Sequence, residues 1–281
     1  MKNIFAIIIF TLLPLTAISQ RVIYEQEDSI RIEQILNNIS GTNATTSGQI
    51  IAIANNFLGE KYVAATLEQG IEEPLFISCT KLDCTTFVEL VLAIAKTANE
   101  GSCKFSDVCS NLEKIRYRDG KNSGYTSRLH YISWWIDDSA KEGLLCEITP
   151  AISHEKQPLN LNFMSTHPKS YPLLNENPEF VDKIKQLELP YQGIEVNYIP
   201  KSSLSRTDNE NIKTGDIVAI TTTIPGLDVT HIGFAHYHNG ALCLLHASSG
   251  KGEVIKDTLP LRDYLEGKKN HSGIRVFRAD F

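Results

Sequence analysis

From Leu82 to Ala95 the chain reads Leu-Asp-Cys-Thr-Thr-Phe-Val-Glu-Leu-Val-Leu-Ala-Ile-Ala, and apolar residues fill nearly every position from Phe87 onward. Such a run predicts a helix buried on almost all sides. Asp83 or Thr85 can cap its start, and Thr86 with Glu89 has capping-box spacing. Cys84 therefore falls in the first turn. Elsewhere the pattern is weaker. Ile30, Ile32, Ile35, Leu36 and Ile39 are spaced as one face of a helix over 29–39, followed by a polar loop over 40–48. A second helix is expected over 49–58, ending near Gly59, and a short one over 105–116. Residues 117–205 are rich in loops, prolines and aromatics, with a possible helix over 128–135.

The last third changes period. Strands are predicted over 215–220, 231–237, 241–247 and 273–277, and Asn239-Gly240 signals a two-residue type I′ hairpin. That turn fixes a register: His236 faces Cys243, Gly233 faces His246, and His231 faces Ser248. Side chains alternate along a strand, so His231 and His246 share one face as diagonal neighbours, roughly 7–8 Å apart at the backbone. Gly233 leaves the space opposite His246 open. Cys243 and His236 point to the other face.

Composition narrows the function classes. The 281 residues carry a net charge of −6, with 27 Lys and Arg scattered along the chain, which argues against a nucleic-acid partner. Lys2, an apolar run from Ile4 to Leu15, and Ala17-Ile18-Ser19 before Gln20 read as a secretory signal peptide over 1–19. No later stretch suits a transmembrane anchor, so the expectation is an exported protein, periplasmic or extracellular, with one domain over 20–281. The six cysteines show no CxxC pair, which disfavours structural zinc; in an oxidising compartment Cys103 and Cys109 are the nearest candidates for pairing. His236 and His238 lack an obvious carboxylate partner, so no metal and no cofactor is expected.

What remains is thiol chemistry. At a helix start the free N–H groups and the dipole favour a thiolate and can hold the oxyanion of an acyl intermediate. The bland alternative is a small buried cysteine. Two histidines sharing a strand face turn the balance: His231 as base, His246 as the residue that orients it.

These residues resemble a known group. Asp83-Cys84 opening a helix, Gly215-Asp216, Thr230-His231-Ile232-Gly233 and Leu245-His246-Ala247 are similar to the NlpC-type, papain-like cell-wall hydrolases. Gly59-x-x-Tyr62-Val63, Leu82 to Glu89, Ser127-Arg128-x-His130-Tyr131 and Gly226 to His231 resemble more closely the N-acetylmuramoyl-L-alanine amidase-like branch. The resemblance implies a papain-like α+β fold with the cysteine helix packed on an antiparallel sheet and a large insertion between Cys84 and His231. It implies catalysis by Cys84, His231 and His246 on peptidoglycan or muropeptides. Tyr62 would stand beside the nucleophile, Arg128 would face a substrate carboxylate, and Asp83, His130, Tyr131, Asp228 and Thr230 would contact substrate. Ser133-Trp134-Trp135 departs from the acidic residue expected before the second Trp. Other readings are cleavage within the stem peptide between γ-D-Glu and the diamino acid, an inactive peptidoglycan-binding module, and acyl transfer on the same fold.

Overall fold

The computed structural model describes residues 21–42, 44–68, 72–205 and 211–281; the expected signal peptide lies outside them. The central helix runs Cys84–Asn99 and is buried along nearly its whole length. Its cap is Asp83, whose carboxylate accepts the Thr86 N–H at 2.8 Å while the Asp83 N–H donates to the Thr86 hydroxyl at 2.9 Å. The capping box thus pairs Asp83 with Thr86, not Thr86 with Glu89. Glu89 has a different task. It is buried and accepts from Arg116 Nε at 2.7 Å, which ties the central helix to the helix Phe105–Arg116.

The helices Gln26–Ile39 and Thr46–Asn55 pack beside the central one, both starting about three residues before the sequence expectation. Their capping residues explain the shift: Glu25 and Asp28 form a reciprocal box, and the Thr45 hydroxyl accepts the Gly48 N–H.

The other layer is a curled nine-stranded sheet. Along it lie Lys81–Leu82, Lys61–Tyr62, Glu253–Lys256, Ala241–Ser248, Val229–His238, Ile217–Thr222, His271–Ala279 and Leu145–Glu147, with Ile199–Pro200 also paired to His271–Ala279. Among the described residues of this sheet, the pair of short strands at 61–62 and 81–82 is parallel and the others are antiparallel. The hairpin has the expected register, with His236 opposite Cys243 and His238 opposite Ala241. Asn239 and Gly240 both take positive φ, 50° and 78°, as a type I′ turn requires. Phe87 meets Phe234 edge-to-face at 5.8 Å, locking the cysteine helix onto the histidine strand.

Residues between the helix Phe105–Arg116 and the strand Ile217–Thr222 build a subsidiary layer. It holds the helices Ile132–Lys141 and Pro178–Glu188 and the antiparallel pair Lys156–Leu159 with Ile194–Asn197. Its aromatics are core: Tyr125, Tyr131, Trp134 and Trp135 are all almost fully buried. The aromatic density reflects packing of this layer, not an open carbohydrate cleft lined by those rings. All six cysteines are free thiols, Cys103 and Cys109 included. Among the described residues no helix is long and apolar enough to cross a membrane, and no cluster of His, Cys, Asp and Glu could hold a metal ion.

Candidate active site

Cys84 opens the central helix, and His231 lies on the strand packed against it. Both line one small pocket of about 100 Å³, with Thr85, His130, Asp228 and Thr230 around them. A β-bulge aims the base. Val229 pairs with Thr221 but His231 pairs with Ile220, so Thr230 is the extra residue. Bulges of this kind re-aim the adjacent side chain, here His231.

His231 Nε2 meets His246 Nδ1 at 2.5 Å. Gly233 makes the contact possible: a Cβ there would sit 2.8 Å from the Cβ of His246. Asp257 Oδ2 lies 3.9 Å from the other nitrogen of His246, Nε2, which is buried without a hydrogen bond. The row therefore runs His231, His246, Asp257, and its His231 end lines the pocket that also holds Cys84. It has one self-consistent arrangement of protons for a base. If His231 is to accept a proton at Nδ1, its Nε2 must carry one and donate it to His246 Nδ1. His246 then carries its own proton on Nε2, the nitrogen facing the Asp257 carboxylate.

Electrostatics departs from the sequence expectation. Burial pushes the Cys84 thiol up to about 12, and the neighbouring Asp83 carboxylate adds to the rise; backbone contacts from Ile232 and Thr85 pull it down less strongly. The helix start is outweighed by desolvation. His231 is lowered to about 3, chiefly by burial and then by His246, while His246 is lowered to about 4 by burial despite the pull of Asp257. The resting pair is a neutral thiol and a neutral imidazole. Tyr62, pushed up to about 12 by burial and then by the Cys84 and Asp83 charges, remains a phenol able to donate a hydrogen bond.

Other sequence candidates divide. Asp83 caps the nucleophile's helix, as described above. Asp228 is buried and accepts N–H groups of Ser133 at 2.6 Å and Val229 at 2.7 Å, so it holds the start of the helix Ile132–Lys141 at the pocket wall. Ser133 Oγ in turn accepts from Arg275 at 3.2 Å. His130 Nε2 lies 2.9 Å from the Tyr125 carbonyl, and burial holds its ring neutral, well below the ordinary histidine range. Thr230 is the bulge residue. Tyr131 lies away from the pocket lining; its hydroxyl donates to Glu188 at 2.7 Å and accepts the Met164 N–H at 2.8 Å, joining parts of the subsidiary layer. Arg128 is buried, stacked on Tyr125, and engaged by Glu68, by Glu73 at 3.4 Å and by the Leu67 carbonyl at 2.9 Å. The arginine expected to meet substrate is committed to internal carboxylates.

Sequence reasoning missed Asp257, Tyr264 and His271. Tyr264, on the short helix Leu261–Glu266, has its ring 6.4 Å from His231, 5.9 Å from His246 and 6.0 Å from His271. Asp257 had a signal: Glu253-Val254-Ile255-Lys256 is a short strand after a glycine-rich turn, and Ile255 opposite His246 puts residue 257 on that same face.

A small pocket with a thiol and paired imidazoles, at the seam of a helix and a curled sheet, is the site of a hydrolase-like α+β protein. Residues 52–274 match the family model AmiA-like, described as N-acetylmuramoyl-L-alanine amidase-like, and the chain belongs to that family. An N-acetylmuramoyl-L-alanine amidase from Bacteroides uniformis is 43% identical, with 85% of this chain and 100% of that chain covered and a TM-score of 0.82. A Bacteroides fragilis protein described as a candidate xylanase is 46% identical, over 81% of this chain and 99% of its own, with a TM-score of 0.78. A Legionella pneumophila protein, 22% identical over 91% of this chain and 95% of its own, shares the fold with a TM-score of 0.69. No curated protein matches the chain.

Proposed function

We propose that the protein is an exported cysteine amidase of the NlpC-type, papain-like kind, hydrolysing the bond between N-acetylmuramic acid and L-alanine in peptidoglycan or its fragments. The observation that carries the reading is the 2.5 Å contact between His231 Nε2 and His246 Nδ1 beside the pocket that holds Cys84. It leaves Nδ1 of His231 to take the thiol proton.

As the Cys84 sulfur attacks the amide carbonyl, its proton passes to His231 Nδ1. The negative oxygen of the tetrahedral adduct is met by N–H groups at the start of the Cys84 helix and by the Tyr62 hydroxyl. His231 then gives its proton to the alanine nitrogen, the C–N bond breaks, and the muramyl acyl group remains as a thioester on Cys84. A water molecule, deprotonated by His231, hydrolyses the thioester and restores the thiol. Asp257, through His246, supports the positive charge His231 carries between those steps. The single domain is taken to span 20–281 after removal of a signal peptide over 1–19.

The xylanase description of one neighbour finds little support in this site. Glycoside hydrolysis ordinarily uses two facing carboxyl groups. Among the described residues lining the pocket the only carboxylate is Asp228, and its oxygens are occupied by backbone N–H groups.

The test is mass spectrometry of a defined disaccharide-peptide after incubation with wild type, Cys84→Ser and His231→Ala. The expected products are free disaccharide and a peptide with a new L-alanine amine, with both variants reduced by more than about a hundredfold. A cut inside the stem peptide would replace the amidase reading with the endopeptidase one. No cut, with folded protein, would leave a binding module.

A further inference from the structure

A tyrosine ring flanks the histidine pair. Tyr264 lies on the short helix Leu261–Glu266, which comes soon after the strand Glu253–Lys256 and Asp257. Leu261 and Leu265, one turn apart, are buried in an apolar cluster with strand residues of the sheet and anchor that helix, while Tyr264 is half-buried. We infer that Tyr264 is a positioning residue for the base: its ring fixes the plane of His231 and supports the positive charge that His231 carries between the two proton transfers. The inference rests on the thiol–imidazole mechanism of the amidase reading and adds a residue to it.

Three observations carry it. First, the rings close a triangle. His231 and His246 are 4.7 Å apart and cross at 81°; Tyr264 lies 6.4 Å from His231, tilted by 31°, and 5.9 Å from His246, at 89°. The 2.5 Å contact between Nε2 of His231 and Nδ1 of His246 fixes one distance. It leaves His231 a rotation about that contact, and with it the direction in which Nδ1 points. A third ring in aromatic contact with both removes that freedom. Tyr264 is edge-to-face with His246, a favoured pairing of aromatic rings, and turns more of its face to His231. Second, His231 has little else beside it that favours its charged form. Burial, then His246 and His271, lower it to about 3, and the Asp257 carboxylate faces His246 instead, 3.9 Å from its Nε2. A cation is drawn to the face of an aromatic ring within about 6 Å of its centre. The His231 ring lies at the edge of that range, at 6.4 Å. Third, Tyr264 meets the pair through its ring and not its hydroxyl, which has no hydrogen-bond partner among the described residues. Burial, then the Cys84 and Asp257 charges, raise its proton affinity, so it stays a neutral phenol. Tyr264 is not among the residues lining the pocket around Cys84, and it acts on the reaction through the base.

The ring is itself held. His271, which opens the strand His271–Ala279, stacks on it at 6.0 Å and 21°. Burial, then the Lys268 and Lys201 charges, lower the His271 imidazole, so the stack sets no positive charge beside His231 near neutral pH. The Tyr264 N–H donates to the Pro260 carbonyl at 3.0 Å. Fixed by its helix and by His271, the tyrosine can in turn fix His231.

The experiment compares the full chain with its Tyr264→Phe, Tyr264→Leu and Tyr264→Met variants. Each is assayed for kcat and KM on a disaccharide-peptide and melted thermally. Each is also isotope-labelled in its histidines and read by NMR for which nitrogen of His231 and His246 carries the proton. Tyr264→Phe keeps the ring and should stay within about threefold of wild type in kcat, with both tautomers unchanged. Tyr264→Leu should lower kcat by about tenfold or more with KM within about twofold, and should shift or broaden the Nε2–H signal of His231. Should Tyr264→Leu fail to melt cooperatively, Tyr264→Met, which fills the space without a flat ring, carries the same expectation. A folded Leu or Met variant with wild-type kcat overturns the inference. So does a Phe variant that falls as far as Leu, which would assign the effect to the hydroxyl, or a raised KM at constant kcat, which would place the residue on substrate. The NMR signals need no substrate and so separate this inference from the amidase reading. A stem-peptide cut by wild type, with altered histidine signals in the Leu variant, ends the amidase reading and keeps the positioning role. A muramyl–alanine cut, with a Leu variant that behaves as wild type, does the reverse.

Discussion

Gly233→Ala is the smallest change that separates the two histidines without touching either. The added Cβ would lie 2.8 Å from the Cβ of His246 and 3.1 Å from the carbonyl oxygen of Leu245. Carbon atoms rest at about 3.5–4.0 Å, so the pair must open by roughly 1 Å. Neither atom belongs to a flexible side-chain end, so no rotamer change relieves the clash. The backbone of one strand or the whole His246 side chain must move, and the 2.5 Å contact with His231 is lost or bent. Misplacement of a catalytic group by about 1 Å can cost on the order of a hundredfold in rate. Overpacking of this kind also costs about 1–3 kcal/mol. In a protein of this size each kcal/mol lowers Tm by about 2–4 °C. The assay follows release of L-alanine-terminated peptide from a disaccharide-peptide, with a thermal melt of the same sample. The expected result is a kcat/KM lower by about two orders of magnitude in a protein that still melts cooperatively. A folded variant within about threefold of wild type would show that the His231–His246 contact does not orient the base.

The neutral resting pair sets the pH behaviour. With His231 lowered to about 3 and Cys84 raised to about 12, the competent protonation state spans the range between them; kcat/KM should stay flat from about pH 5 to 9, and a fall on the alkaline side near pH 8–9 would point to a preformed thiolate–imidazolium pair instead. Iodoacetamide labelling of Cys84 follows its thiolate fraction, which should rise about tenfold per pH unit between pH 6 and 9; a plateau above pH 7 would contradict the raised thiol. Arg128→Ala strands Glu68 and Glu73, so the loss should register as stability, about 3–5 kcal/mol in a denaturant or thermal melt. An unchanged melt with a raised KM would return Arg128 to the substrate.

Local chemistry was legible in the sequence wherever one short-range rule decided the outcome. Asn239-Gly240 fixed the turn, and the two-residue period then put His231 and His246 on one face. The helix over 105–116 ended where the pattern did. Legibility failed where a distant partner decided. Glu89 has capping-box spacing, but Arg116 lies close enough to claim it, and a buried carboxylate needs a cation more than a helix start needs a second cap. Arg128 has the form of a substrate clamp in sequence; Glu68 and Glu73, some 60 residues earlier, take it up. Trp134 and Trp135 are alike as letters whether they face a sugar or a core, and only the packing of the subsidiary layer separates the two.

The thiol poses the same problem at its sharpest, and it bears on mechanism. Position at a helix start favours the thiolate by the dipole and a few N–H groups, an effect of about 0.3–2 kcal/mol. Partial burial at a pocket of about 100 Å³ acts on the same proton and outweighs it, because an anion there loses part of its hydration. On the proposed mechanism the Cys84 nucleophile waits as the thiol and is slow to react with small oxidants or alkylators. It becomes nucleophilic only when an acyl carbonyl sits close enough for attack and proton transfer to occur together. In the proposed mechanism the row from His231 through His246 to Asp257 serves that moment: the His246 contact engages Nε2 of His231, leaves Nδ1 to take the proton, and sets a negative charge behind the imidazolium as it forms. On this argument specificity and activation are one event. On the proposed mechanism a substrate that seats its carbonyl at Cys84 and excludes the remaining water is cut without a preformed ion pair.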